Sequence, residues 1–253
     1  MISLEPIIIS APFGNYLHFN GCSSTFGTFT WHRRGGFPWR LWRIVRTLRY
    51  SWKLQSWRNK LGLPNSGILS VDISDTRLSG ALVSILGFNK EEWANLLAFV
   101  HQKLPQIAGI ELNLSCPNID HRVIVADVIP SVNQCPKRII AKLPPLKWMD
   151  IALPLYESGV RTFHCCNTLW TPAGGFSGEV LKPYSLWAVE SMRKQFGSSV
   201  TIIGGGGVRE RSDVVRYVQA GADRVAVGSM LLNPLQWSKV SELRHTMVQP
   251  TNI

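Results

Sequence analysis

Residues 200–229 read VTIIGGGGVRERSDVVRYVQAGADRVAVGS, and the way this stretch alternates decides the fold. An apolar β-type run, VTII, ends in glycines; a helical pattern, ERSDVVRYVQAGA, follows; a second apolar run, RVAV, ends in Gly228 and Ser229. Strand, glycine turn, helix and strand make a βαβ unit, and near-continuous apolar strands of this kind belong to a parallel sheet covered by helices. Towards the N-terminus the alternation continues through ALVSILG, GIELNLS, RIIAKLP and RTFHCCNT, with helical stretches such as EEWANLLAFVHQKL and PYSLWAVESMRKQF interleaved. Together with IIISAPFG and TFGTFTW before residue 80, the count is eight candidate strands. Eight favours an α/β fold of the (β/α)8 TIM-barrel type over an open doubly wound sheet.

The front of the chain departs from the regular repeat. Only about a dozen residues separate the first two candidate strands, and a parallel crossover normally needs that many or more and carries a helix. Either the first βα unit is abbreviated or these strands are not parallel neighbours. Residues 33–60 then form a basic, Trp-rich insertion, RRGGFPWRLWRIVRTLRYSWKLQSWRNK. With no internal repeat, low-complexity tract or linker, residues 1–253 are expected to form a single barrel domain.

Composition narrows the function classes. Of 253 residues, 45% are hydrophobic and 17% charged, ordinary for a globular protein. The chain lacks an uncharged apolar run of about 18 residues, so a spanning helix is not expected. The start, MISLEPIIISAPFGNY, lacks a basic segment and carries Glu5 before a short apolar run, which points to the cytoplasm rather than to secretion. Cys22, Cys116, Cys135, Cys165 and Cys166 are odd in number and lack metal-ligand spacing, so reduced thiols are expected and no metal site is. The net charge is +11, yet no acidic residue occurs between Glu5 and Asp72, where Arg33, Arg34, Arg40, Arg43, Arg46, Arg49, Lys53, Arg58 and Lys60 lie. The excess is a local device rather than the mark of a nucleic-acid-binding domain.

Chemistry concentrates where strands end. The glycines of IIGGGGV (202–208), and Gly228 and Ser229 of VAVGSML, suit a phosphate held by backbone N–H groups after the last two barrel strands. Asn113, Ser115, Cys116 and Asn118 end the ELNLSCPN strand, Lys142 the IAKLPP strand, and Asn167 and Thr168 the CCNTLW strand. In a barrel all of these face one mouth. A lysine within an apolar strand needs a partner, which an anion or a flavin ring would supply.

ELNLSCPN, AKLPP, NKLGLPN (59–65), CNT, GGFSG (174–178), IIGGGGV and AVGSML, in this order and spacing, resemble the dihydroorotate dehydrogenases, FMN-dependent barrels of pyrimidine biosynthesis. The similarity covers roughly residues 59–235, with looser matches at APFGN and GTFTW. It implies oxidation of a CH–CH bond, dihydroorotate to orotate, with Cys116 as the base that takes the C5 proton while hydride leaves C6 for flavin N5. It further implies that Asn59, Asn113, Asn118, Asn167 and Thr168 hold the pyrimidine and that Lys142 lies against the flavin. Gly206, Gly207, Gly228 and Ser229 would hold the FMN phosphate, with Gly178 close to flavin and substrate. A thiol, with an ordinary pKa of about 8.5, can accept a proton if its surroundings help. Counting back from Gly36-Phe37-Pro38, the position of a lysine that family members typically carry is Gly27; Lys60, Arg33 and Arg34 are the nearby cations. That departure leaves open another dihydropyrimidine or an unsaturated carbonyl compound as substrate. A different class of reading is a catalytically silent barrel whose basic segment binds an anionic surface.

The insertion is expected to form an amphipathic helix over about residues 39–53, with Leu41, Ile44, Val45, Leu48 and Trp52 on one face. That face either packs on its own domain or lies in a membrane interface, the latter giving access to a quinone as electron acceptor, although the family's quinone users usually carry serine at the position of Cys116. The partners expected are therefore a small molecule such as dihydroorotate, a peripheral membrane contact through 39–53, and a second copy of the chain in a homodimer. Nucleic acid is not among them.

Overall fold

The computed structural model describes residues 3–35, 37–115 and 121–248. In chain order the elements are β1 (Ile7–Ile9), β2 (Cys22–Phe29), α1 (Phe37–Thr47), β3 (Arg49–Ser51), β4 (Ser56–Asn59), β5 (Leu82–Ile85), α2 (Lys90–Lys103), β6 (Gly109–Asn113) and α3 (His121–Asn133). They continue with β7 (Ile139–Leu143), α4 (Met149–Glu157), β8 (Thr162–Cys165), β9 (Leu169–Thr171), β10 (Gly174–Gly178), α5 (Lys182–Phe196), β11 (Thr201–Gly205), α6 (Arg211–Gln219), β12 (Arg224–Val227) and α7 (Lys239–Val248). Strands β1, β12, β11, β8, β7, β6, β5 and β2 close a parallel barrel in that order. These are the eight runs read from the sequence.

The first crossover is abbreviated. β1 and β2 are parallel neighbours, Ile7 opposite Cys22 and Ile9 opposite Ser24, and the crossover between them carries a single 3-10 turn, Phe13–Asn15, instead of a helix. Elsewhere the helices form for local reasons. In α2, the Asn89 side chain accepts from the Glu92 N–H at 2.9 Å, a cap worth about 1 kcal/mol, and Trp93, Leu96, Leu97 and Val100 repeat on the buried face.

Side chains alternate across each strand, so the barrel has an inner and an outer core. Ile110 and Leu112 of β6, Ala141 and Leu143 of β7, and Phe163 and Cys165 of β8 face the helices. Inside, Ile8, Leu82, Ile140, Ile203 and Ala226 make an apolar floor. Above it, nearer the carboxyl ends of the strands, Ser84, Glu111, Lys142 and His164 are buried. The apolar floor closes the barrel and the polar layer becomes the bottom of a cavity.

The insertion corrects one expectation. Its helix ends at Thr47, not near 53, and the chain turns back as the β3–β4 hairpin, with Arg49 opposite Arg58. At the helix end Arg49 donates to the Val45 and Leu48 carbonyls at 2.7 and 2.9 Å, satisfying acceptors that further helix would have used. The competing structure is tertiary: β4 pairs antiparallel with β10, and β10 with β9. The sheet β3-β4-β10-β9 therefore joins the insertion to GGFSG, a glycine-rich strand whose partner lies more than a hundred positions earlier. No helix among the described residues is long and apolar enough to cross a membrane.

Candidate active site

Glu111 and Asn113 point to the barrel axis from β6, Lys142 from β7 and His164 from β8. Register places Asn113 beside Lys142 and Lys142 beside His164, so three neighbouring strands present a polar row at one height. A cavity of about 720 Å³ opens above it, within the range of about 300–1,000 Å³ usual for cofactor and ligand sites.

At one wall, amides and hydroxyls hold one another. Asn113 Nδ2 donates to Thr28 Oγ1 at 3.1 Å, Ser115 Oγ to Asn113 Oδ1 at 2.9 Å, and Asn167 Nδ2 to Asn113 Oδ1 at 2.9 Å. Asn167 Nδ2 also donates to Ser115 Oγ, and the Thr168 N–H donates to Asn167 Oδ1 at 2.9 Å. Groups so locked present fixed donors and acceptors, which suits a flat polar ligand.

At another wall lie the glycine turns. Gly206 and Gly207 have φ of +129° and +72°; a Cβ on Gly207 would stand 2.7 Å from the Gly178 carbonyl oxygen. The turn is held from behind: Tyr217 donates to the Gly206 carbonyl at 2.7 Å, and the N–H groups of Arg209 and Glu210 donate to Asp213 Oδ2 at 2.8 and 3.2 Å. Lys182, buried, ties Asp213 to Glu179 at 2.5 and 2.8 Å. Gly228 and Ser229, following β12, line the same cavity.

Beneath both walls sits a charged cluster. Glu111 Oε2 meets His164 Nδ1 at 2.8 Å and Oε1 lies 3.5 Å from Lys142 Nζ. Burial pushes the Glu111 carboxyl up, but the Lys142 charge and the hydrogen bonds from His164 and Ser84 outweigh it and bring the pKa down to about 2. Burial, with the Lys142 charge beside it, lowers the pKa of His164 despite the Glu111 contact. A neutral imidazole donating to an ionised carboxylate follows, and Lys142 enters the cavity with its counter-ion already in place.

Asn59, Asn113, Asn167, Thr168, Lys142, Gly178, Gly206, Gly207, Gly228 and Ser229 all line this one cavity. Cys116 and Asn118 lie outside the described residues. Arg34 lines the cavity, its guanidinium 4.6 Å from the Phe88 ring centroid; Arg33 is exposed and turned to the Gly35 carbonyl, and Lys60 is exposed away from the lining. Gly27 also lines it, with φ +104° and its virtual Cβ 2.4 Å from the Ser84 carbonyl oxygen, so the backbone admits no lysine there. Asn15 grips that glycine, accepting from its N–H at 2.9 Å and donating to its carbonyl at 3.1 Å.

Sequence reasoning missed Glu111, His164, Thr28 and Asn65. The first was legible by strand period, since Glu111, Asn113 and Ser115 fall on one face; His164 stands two positions beyond Thr162 on the inward face of its own strand. Asn65, buried, accepts from the N–H groups of Thr30 and Gly67 at 3.1 and 2.9 Å and fastens the segment that ends NKLGLPN over the cavity.

A family model described as "Dihydroorotate dehydrogenase" matches residues 158–247. The catalytic subunit of dihydroorotate dehydrogenase B (NAD(+)) from Geobacter metallireducens is 30% identical over 201 residues, covering 68% of this chain and 65% of that protein. The protein of the same name from Geotalea uraniireducens is 28% identical over 229 residues, covering 77% and 73%. The chain thus spans about two thirds of the length of these curated relatives. The crystal structure of DHODH in complex with ferulenol from Eimeria tenella superposes with a TM-score of 0.77 over 98% of this chain and 81% of that one, at 19% identity, a likeness of fold.

Proposed function

The chain belongs to the dihydroorotate dehydrogenase family, and from that premise we propose that it is an FMN-dependent oxidoreductase that converts dihydroorotate to orotate. One observation carries the reading: residues from motifs scattered between 59 and 229, Asn59, Asn113, Lys142, Asn167, Gly178 and Gly207 among them, line a single cavity at the carboxyl ends of the barrel strands. FMN fits that cavity. The Gly206–Gly207 turn lines it with a backbone that packing against Ser185 and Gly178 keeps free of side chains, and with Gly228 and Ser229 its N–H groups would hold the terminal phosphate.

When bound, FMN supplies the acceptor for the C6 hydride. The chain's own residues do the remainder. Cys116, which follows Ser115 in the chain, takes the C5 proton. Asn113 and Asn167, cross-linked through Ser115, bind and orient the pyrimidine with Asn59 and Thr168. Lys142 places a positive charge beside the reacting groups, where buried charge acts strongly, and Glu111 keeps its ammonium in position.

Heat release of the bound chromophore, its identification by mass, and anaerobic titration with dihydroorotate test the proposal together. The expected result is FMN that bleaches on mixing. FAD in place of FMN, or no flavin after reconstitution, overturns it.

A second reading keeps FMN and Cys116 but changes the substrate to an uncharged dihydropyrimidine or an enone. It is favoured by the cations of the cavity: among the described lining residues these are Lys142, already paired with Glu111, and Arg34, while Gly27 admits no side chain. FMN that bleaches with such a compound and not with dihydroorotate selects it.

A further inference from the structure

Helix α1 presents its apolar residues to two surroundings. Ile44, still 40% exposed, and Leu48 line the cavity. Leu41, Trp42 and Val45 are exposed, Val45 to 65%. At 100° per residue, Leu41, Val45, Trp42 and Arg46 cover roughly 140° of the outward side, an arc with three large apolar side chains and one cation. The hairpin beyond it continues the pattern: Trp52 is 84% exposed and Leu54 is exposed, next to Lys53.

Charge on this cap is of one sign. No acidic residue occurs between Glu5 and Asp72. Arg49 and Arg58 are opposite across β3 and β4, both exposed, with the Arg49 guanidinium turned to the carbonyls at the end of α1. The Arg46 guanidinium rests over the Trp42 ring at 4.9 Å. An outward face of tryptophan and aliphatic side chains edged with arginine suits the boundary of an anionic bilayer, where apolar groups enter the acyl region and cations meet headgroups.

We propose that α1 and the β3–β4 hairpin form a docking surface for an anionic lipid bilayer. The occupant is set by charge complementarity: the exposed cations Arg46, Lys53 and Arg58 have no acidic residue between Glu5 and Asp72 to meet, and a second copy of this chain would bring another basic cap against them. The docked face adjoins the cavity, since α1 supplies its wall through Ile44 and Leu48.

The test is co-sedimentation of the full chain with phosphatidylcholine vesicles, with and without phosphatidylserine, at low and high salt. Binding is expected on the anionic vesicles and is expected to weaken with salt. Arg46→Gln with Arg58→Gln should weaken it about fivefold per charge, and Trp42→Ser with Val45→Ser about tenfold or more. These positions are exposed, so melting temperatures should stay at the parent value; if the double variant does not fold, Val45→Ser alone gives the reading. No binding to anionic vesicles at low salt overturns the proposal, as does equal binding to neutral vesicles or parent-like binding by both double variants. A dimer in size-exclusion chromatography that Val45→Ser dissociates, with no vesicle binding, assigns the face to self-association instead.

Discussion

Replacing Lys142 by Met should turn the buried cluster from an acid-sensitive device into an alkali-sensitive one. In the parent, Glu111 Oε1 accepts no hydrogen bond from the described residues, and the ammonium of Lys142 at 3.5 Å offsets the burial of that oxygen. A carboxyl whose pKa falls from 4.5 to about 2 on folding contributes about 3 kcal/mol at neutral pH, at about 1.4 kcal/mol per unit. Because the folded value is depressed, that stability is present above about pH 4.5 and is lost as pH falls towards 2. Methionine removes the cation and leaves the burial. The folded carboxyl then binds its proton more tightly than the unfolded one, so the variant loses stability as pH rises from the unfolded value through the raised folded one.

His164 adds to the same trend. Burial, and after it the Lys142 charge, lower its pKa; without the lysine the imidazole holds its proton to higher pH and pairs with Glu111 until the pH rises past that point. The stability gap between parent and variant should therefore widen from about pH 5 to about pH 8 and reach about 3–5 kcal/mol, the cost of an uncompensated buried charge. Urea denaturation of the flavin-free protein at both pH values measures it. Adding Glu111→Gln to Lys142→Met should recover most of the loss at the higher pH. A gap below about 1 kcal/mol there, or one that does not change with pH, refutes the electrostatic account.

Cys116→Ala should retain the flavin and slow its reduction by dihydroorotate about 10²–10⁴-fold in stopped-flow traces; parent-like reduction removes the cysteine from the mechanism. Gly207→Ala should cost about 2–3 kcal/mol in unfolding experiments and weaken FMN binding about tenfold or more, because φ is +72° and the new Cβ meets the Gly178 carbonyl oxygen at 2.7 Å; unchanged affinity by flavin fluorescence places the phosphate elsewhere. Gly27→Lys should destabilise rather than restore a family-like site, by about 2–4 kcal/mol, since its Cβ would stand 2.4 Å from the Ser84 carbonyl oxygen. A stable Gly27→Lys protein with faster turnover of dihydroorotate contradicts that steric argument.

What could be read in the sequence follows from which interactions are local. Barrel strands are buried on both faces, so runs such as RIIAKL and VTIIGG carry their signal within themselves, and a lysine or asparagine interrupting such a run marks the inward-facing end. Pairings between distant segments carry no such mark. β4 meets β10 through Asn59 opposite Gly175 and Ser56 opposite Gly178, and glycine has no strand preference by which to announce it. The Glu111–His164 contact likewise exists only because register sets β6, β7 and β8 in step.

Helix α1 shows the limit from the other side. Its periodicity correctly marks Leu41, Ile44, Val45 and Leu48 as one apolar stripe, yet a stripe specifies only which residues are alike, not how many surfaces they meet. The hairpin that ends the helix at Thr47 and the cavity beneath Ile44 and Leu48 divide that stripe in two. Packing on its own domain and lying in a membrane interface were opposed readings of the sequence; in the structure Ile44 and Leu48 line the cavity while Leu41 and Val45 are exposed. Leu41 and Val45 of the stripe, with Trp42 beside them, are exposed among the described residues, and the proposed bilayer contact would give these side chains a physical reason to be apolar.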